Sequence, residues 1–101
     1  MSFSLSANNS QIKEGHLHAH VRRIDGSWNE DAKLNLDHHI GNNNGVLEWG
    51  GQNFSQSVQN VHLRDGHILE ADARRVDGSW NRTSINLNEK IGNNNGELVH
   101  G

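Results

Sequence analysis

The strongest constraint on this chain is that it is written twice. Arg22-Arg23-Ile24-Asp25-Gly26-Ser27-Trp28-Asn29 returns as Arg74-Arg75-Val76-Asp77-Gly78-Ser79-Trp80-Asn81, and Ile40-Gly41-Asn42-Asn43-Asn44-Gly45 returns as Ile91-Gly92-Asn93-Asn94-Asn95-Gly96. Leu34-Asn35-Leu36 answers Ile85-Asn86-Leu87, Phe3-Ser4 answers Phe54-Ser55, and Gly50 answers Gly101. The repeats therefore run over 1–50 and 51–101, with small length differences expected to fall in loops. Two copies are too few for a solenoid, which needs three or more stacked units. A chain of 101 residues is also the size of one domain. Such a chain buries roughly 60–70% of its unfolded surface, enough for one modest core. The duplication should close into a single pseudo-symmetric domain.

Each copy reads as strands. His16-Leu17-His18-Ala19-His20-Val21 alternates polar and apolar residues, so Leu17, Ala19 and Val21 should face inward. Ile68, Leu69, Ala71 and Ala73 repeat this less cleanly. Asp25-Gly26 and Asp77-Gly78 predict tight two-residue hairpin turns, because Asp-Gly tolerates positive φ. Asn42-Asn43-Asn44-Gly45 predicts another turn, leading into Val46-Leu47-Glu48-Trp49. Only Asp37-His38-His39-Ile40 and Asn88-Glu89-Lys90-Ile91 look like single helical or 3₁₀ turns, and nowhere is a 3.6-residue period sustained. The fold class is all-β and antiparallel.

Composition removes several function classes. The chain has no Cys and no Pro, so disulfide scaffolds, thiolate zinc sites and cysteine nucleophiles are excluded. A net charge of −3 argues against a phosphate-driven nucleic-acid partner. No apolar run approaches the roughly 20 residues of a membrane helix, and Met1-Ser2-Phe3-Ser4 does not open a signal peptide. A cytoplasmic protein is expected. No phosphate loop, dinucleotide fingerprint, zinc-protease helix or serine-hydrolase elbow occurs, so no enzyme is expected.

The polar residues leave alternatives. His16, His18 and His20 project from one strand face, as a metal grip would, but a solvated face opposite a core face is the preferred reading. Trp28, Trp49 and Trp80, with Phe3 and Phe54, are scarce enough that burial is expected over sugar stacking. One Arg of each pair, Arg22-Arg23 and Arg74-Arg75, either reaches a ligand or makes a cross-strand ion pair. Fifteen residues are Asn, concentrated in the two Asn-Asn-Asn-Gly segments. A carboxamide offers a donor and an acceptor, matching a sugar hydroxyl. Asn also populates turns for its own local reasons, which is the default reading here.

The combination resembles the cyanovirin-N homology family of lectins along the entire chain. The carrying residues are Phe3-Ser4, Trp28-Asn29, Leu34-x-Leu36-x-x-x-Ile40, Asn42-x-Asn44-Gly45-x-Leu47-x-Trp49 and Asn53-Phe54, then Ile85-Asn86-Leu87, Ile91-x-Asn93-x-Asn95-Gly96 and Leu98. Ala7 with Val21, and Val58 with Ala73, stand where the founding member has disulfides, which is similar to the cysteine-free fungal members. The resemblance implies a cyanovirin-N-like fold of two lobes, approximately 1–38 plus 90–101 and 39–89. It implies no catalysis and no cofactor or metal. It further implies binding of mannose-rich glycans through terminal α1→2-linked mannose, one site per lobe.

In the central lobe the matching positions are Gly41, Asn42, Asn44, Gln52, Asn53, Gln56, Ser57, Arg74, Arg75, Val76 and Gly78. Asn42 and Asn53 match the family in type, whereas Gly41 removes a carboxylate, Val76 an Arg and Gly78 a long amide. In the terminal lobe they are Ser2, Leu5, Ser6, Arg22, Arg23, Ile24, Asn93, Asn94 and Asn95. Leu5 and Ile24 are apolar there, so the central lobe is expected to be the stronger site. Glycosylation sequons at Asn8, Asn53 and Asn81 would place a glycan in the favoured site on the secretory route, which supports the cytoplasm. Gly50-Gly51-Gln52-Asn53 is a flexible link, so a monomer is expected, with a swapped dimer accessible. The alternative reading is a structural or protein-interaction module that keeps the fold without sugar binding.

Overall fold

In the computed structural model, which describes residues 2–101, the chain makes two three-stranded sheets and two hairpins, all antiparallel. The first sheet is β1 (Ala7–Lys13), β2 (His16–Arg22) and β3 (Trp28–Asn35), followed by the hairpin β4 (Ile40–Asn43) and β5 (Val46–Trp49). The second is β6 (Val58–Arg64), β7 (Ile68–Arg74) and β8 (Trp80–Asn86), followed by the hairpin β9 (Ile91–Asn94) and β10 (Glu97–His100). Four 3₁₀ turns punctuate them: Phe3–Ser6, Leu36–His38, Phe54–Ser57 and Leu87–Glu89. The second and fourth lie one residue before the predicted turns. The other two were not expected; each seats one fully buried Phe, Phe3 or Phe54, at the start of its repeat.

The predicted alternation explains the middle strands. Leu17, Ala19 and Val21 of β2 are buried, with His16, His18 and His20 half-exposed on the other face. Leu69, Ala71 and Ala73 do the same in β7, while Ile68 falls out of phase and is half-buried. Ala7 pairs directly with Val21, and Val58 with Ala73, so two small apolar contacts stand at the cross-strand positions where a disulfide would otherwise fit.

Two expectations about the turns are corrected. Asp25-Gly26 is not a two-residue hairpin turn: β2 ends at Arg22 and β3 begins at Trp28, and within the connection only Gly26 takes positive φ, +92°. The Asp25 carboxylate instead accepts from Ser27 N–H at 2.9 Å and Ser27 Oγ at 2.6 Å, so the side chain shapes the turn locally. Asp77 with Ser79 repeats this. The two-residue turns with both residues left-handed are Asn44-Gly45, Asn95-Gly96 and Glu14-Gly15. Nor do all length differences fall in loops. The extra residue of the second copy sits in the turn Asp65-Gly66-His67, but that of the first is a bulge inside β3, where two residues lie between the partners of Ala19 and Val21.

Each hairpin packs on the sheet made by the other repeat's strands or by the chain's opposite end. β9–β10 lies against β3 and the Phe3–Ser6 turn, and β4–β5 lies against β8 and the Phe54–Ser57 turn. The result is elongated, 50 × 22 × 18 Å. One apolar cluster runs through it, anchored by the fully buried Phe3, Leu17, Leu36, Phe54, Leu69 and Leu87. Each such side chain contributes about 1.5–3 kcal/mol on burial. Trp49 packs against the cluster half-buried, but Trp28 and Trp80 do not join it as expected and are 40% and 43% exposed.

Candidate functional site

The two Asn-Gly hairpin tips, one mid-chain and one near the C-terminus, are built by the same five hydrogen bonds. In the central tip, Gly45 N–H donates to Asn42 Oδ1 at 2.8 Å, shaping the turn from within. Asn42 Nδ2 donates outward to Ser57 Oγ at 2.9 Å and to the Arg74 carbonyl at 3.0 Å. Val76 N–H donates to Asn44 Oδ1 at 2.9 Å, and Asn81 Nδ2 donates to the Gly45 carbonyl at 2.7 Å. In the terminal tip Gly96 N–H donates to Asn93 Oδ1, and Asn93 Nδ2 donates to Ser6 Oγ and the Arg22 carbonyl. Ile24 N–H donates to Asn95 Oδ1, and Asn29 Nδ2 to the Gly96 carbonyl.

This geometry divides the carboxamides. Asn42 and Asn93 direct both amide hydrogens into the protein, so they are latches that hold the tip. Asn44 and Asn95 use only the oxygen for a latch and are exposed. Asn43 and Asn94 are exposed as well. The tips are therefore rigid without being packed away from solvent.

The two arginines of each pair have different surroundings. The stems of Arg75 and Arg23 lie so close to the tip glycines that a Cβ on Gly45 would sit 2.8 Å from Arg75 Cγ, and one on Gly96 2.7 Å from Arg23 Cγ. With φ of +91° and +90°, both positions require glycine. The Arg75 guanidinium reaches Ser79 Oγ, and that of Arg23 reaches Ser27 Oγ and the Trp28 carbonyl. Arg74 and Arg22 are exposed, and among the described residues none of the four is in an ion pair. The Ser79 hydroxyl and N–H, with Arg75 nearby, hold the Asp77 carboxyl below its usual range; Ser27 does the same for Asp25.

Around the central tip, Gln52, Asn53, Gln56, Arg74, Val76 and Gly78 are exposed, and Ser57 and Arg75 half-buried. Asn53 is left-handed, φ +62°; its N–H donates to the Asp37 carbonyl, which leaves the carboxamide pointing to water. Gly41 is buried and bridged to Asn53, and a Cβ there would lie 2.9 Å from Gly51 Cα. The link between the repeats thus covers Gly41, which accounts for the missing carboxylate. At the terminal tip, Ser2, Ser6, Gly92, Asn93, Asn94 and Val99 line an open cleft of about 570 Å³. Leu5, of the same 3₁₀ turn as Ser6, and Ile24, whose N–H is held by Asn95, are 87% and 90% exposed.

Several structural participants were missed from sequence. Asn29 and Asn81 hold the tips, and their signal was present in the repeated Ser-Trp-Asn block. Asp37 receives Ser55 N–H at 3.0 Å and the Ser55 hydroxyl, and Asn88 plays the same part for Ser4. His39 and His100 stack with centroids 4.1 Å apart, next to Trp49. The three strand histidines are separately engaged or solvated: His16 contacts the Glu14 carbonyl, and His20 contacts the Asn9 amide.

Known proteins match this architecture. The CVNH domain family matches residues 3–99. The cyanovirin-N homologs of Neurospora crassa and Tuber borchii are 39% and 42% identical, covering 97% and 98% of this chain and 96% and 98% of their own. Among solved structures, a MoCVNH3 variant in complex with (N-GlcNAc)4 superposes with a TM-score of 0.91 at 28% identity, covering 98% of this chain and 96% of that one. A microvirin:mannobiose complex superposes with a TM-score of 0.82 at 32% identity, covering 99% and 98%. A duplicated, cysteine-free β chain with two latched carboxamide tips, alike over nearly its whole length to the Neurospora crassa and Tuber borchii homologs, belongs to the CVNH family, a family of carbohydrate-binding lectins rather than of enzymes.

Proposed function

We propose that this protein binds terminal α1→2-linked mannose of mannose-rich oligosaccharides by direct hydrogen bonding, without metal, at one site in each of two lobes, 1–38 plus 90–101 and 39–89. The observation that carries this reading is the pair of rigid but exposed hairpin tips, each with the same latches. A saccharide hydroxyl gives one hydrogen bond and takes two, and each bond nets only about 0.5–1.5 kcal/mol, so several groups must already be in position. At the central end the Asn44 amide hydrogens, Gln52, Asn53 and Gln56 are exposed and make no side-chain hydrogen bond to a described residue beyond the Asn44 latch. The mannobiose complex of microvirin supports the choice of sugar. We assign the monomer in the cytoplasm as the working form, since the Ala7–Val21 and Val58–Ala73 pairs require no oxidising compartment.

Titration of α1→2 mannobiose against the ¹⁵N-labelled protein tests this. Amide shifts are expected in Asn42–Gly45, Gln52–Ser57 and Asn93–Gly96. No shifts at either tip at millimolar sugar would instead favour a scaffold that has kept the fold and lost the activity. Asn53→Gly removes the carboxamide while tolerating the left-handed backbone. It should weaken the central site about tenfold with little change in melting temperature, and unchanged affinity would remove Asn53 from the site.

A further inference from the structure

The two tips are alike in their latches and unlike in what surrounds them. Val99 stands opposite Gly92 in the terminal hairpin, where Glu48 stands opposite Gly41 in the central one. Leu5 of the Phe3–Ser6 turn occupies the place of Gln56 in the Phe54–Ser57 turn, and Ser2 that of Asn53. Two of the three exchanges put an apolar side chain where the central end carries a carboxylate or a carboxamide, and the third puts a short hydroxyl where it carries a carboxamide.

The second tip residue follows this difference. Asn43 Nδ2 is held by Glu48 Oε2 at 3.2 Å. Asn94, opposite Glu97 and beside Val99, makes no side-chain hydrogen bond to a described residue and lines the cleft. The terminal cleft thus offers one carboxamide with its donor and acceptor both available, two serine hydroxyls and apolar surface from Val99. Exposed Leu5 lies in the chain between the lining Ser2 and Ser6, and exposed Ile24 is tied through its N–H to Asn95 of the tip.

We propose that the two ends prefer different saccharides: the terminal cleft favours a sugar carrying an N-acetyl group over mannose, and the central end favours the unsubstituted, hydroxyl-rich one. This rests on the lectin reading above and refines it. An acetamido group presents an N–H, a carbonyl and a methyl together. The Asn94 carboxamide complements the first two, and Leu5 and Val99 supply apolar cover for the third. Burial of one methyl-sized group is worth about fourfold in affinity. At the central end the same methyl would meet Gln56 and Glu48. An unsubstituted mannose in the terminal cleft would hydrogen-bond Asn94 and the serines but leave Leu5 and Val99 without an apolar partner. The structural neighbour solved with (N-GlcNAc)4 supports an acetamido sugar as the probe.

The experiment is a pair of amide-shift titrations, with the β1→4 dimer of N-acetylglucosamine and with α1→2 mannobiose. The acetamido sugar should shift Ser6, Asn93–Gly96 and Val99 at concentrations about tenfold lower than it shifts Asn42–Gly45, and mannobiose should show the reverse order. Leu5→Gln, at a fully solvated position that cannot unfold the chain, should cut the acetamido preference by about fourfold. Leu5→Gln with Val99→Glu should abolish it while leaving mannobiose shifts at the central tip unchanged. Acetamido shifts that are absent, or equal at both tips, while mannobiose still binds would overturn the selectivity and leave the lectin reading standing. Silence with both sugars would overturn the lectin reading itself.

Discussion

Asn42 and Asn93 show how one residue type serves two ends in this chain. Each accepts from a glycine N–H and donates twice to a neighbouring strand and 3₁₀ turn. The next residues in the same run remain solvated. Beside His100, His39 is held neutral more readily than an ordinary imidazole. Burial is the main cause, with His100 stacked on it and His38 beside it adding repulsion to the charged form. A base whose folded pKa is depressed binds its proton more readily when unfolded, so stability is full above the ordinary imidazole value of 6.5 and falls as pH drops through the lower folded value. Melting temperature should therefore decline from pH 7.5 to pH 5, and His39→Gln should flatten that decline. The depressed carboxyls of Asp25, Glu70, Asp72 and Asp77 act in a separate window below about pH 4.5, where their contribution is lost on acidification. An unchanged slope in His39→Gln would place the acid sensitivity elsewhere.

At the scale of elements, the hairpins matter more to one another's sheets than surface charge does. Arg82 of β8 bonds Asp72 and the Asn60 carbonyl, with Glu70 near it and Glu70 in turn on Arg64 and His62, but the arginine is half solvated. Exposed pairs of this kind contribute about 0–1 kcal/mol. Its neighbour Asn81 instead carries the hairpin tip through the partly buried bond to Gly45. Asn81→Ala leaves that carbonyl unpaired and should cost about 1–3 kcal/mol in denaturant unfolding. Arg82→Ala should cost less than half as much, and equal losses would show that the network, not the latch, holds β4–β5 on β8. Among the described residues the first sheet makes no such ion pairs. Its bulge puts two residues, Glu30 and Asp31, opposite His20, where the second sheet has the single Arg82 opposite Asp72.

Across the whole molecule, pseudo-symmetry is kept by different chemistry at equivalent joints. Asp37 holds Ser55 at the join between the repeats, while Asn88 holds Ser4. Asp37→Asn should therefore be tolerated within about 1 kcal/mol, because the other joint already works with a carboxamide. Asp37→Ala, which orphans the Ser55 N–H, should cost about 1.5–3 kcal/mol. If the two substitutions were equally damaging, the charge itself would be required. Much of this architecture was legible beforehand, because duplication and two-residue alternation are local and periodic: the strands, the buried Leu17-Ala19-Val21 face and the Asn-Gly tips follow from the order of residues alone. The five-residue connection at Asp25, the bulge in β3 and the exposed tryptophans were not legible, since each depends on what side chains or strands lie opposite. The division of labour among the asparagines belongs to the tertiary structure for the same reason. A carboxamide is identical in sequence whether it latches or waits for a ligand, and only the Ser57, Arg74, Ser6 and Arg22 oxygens, brought from 15 to 87 residues away, determine which of them remain free to bind.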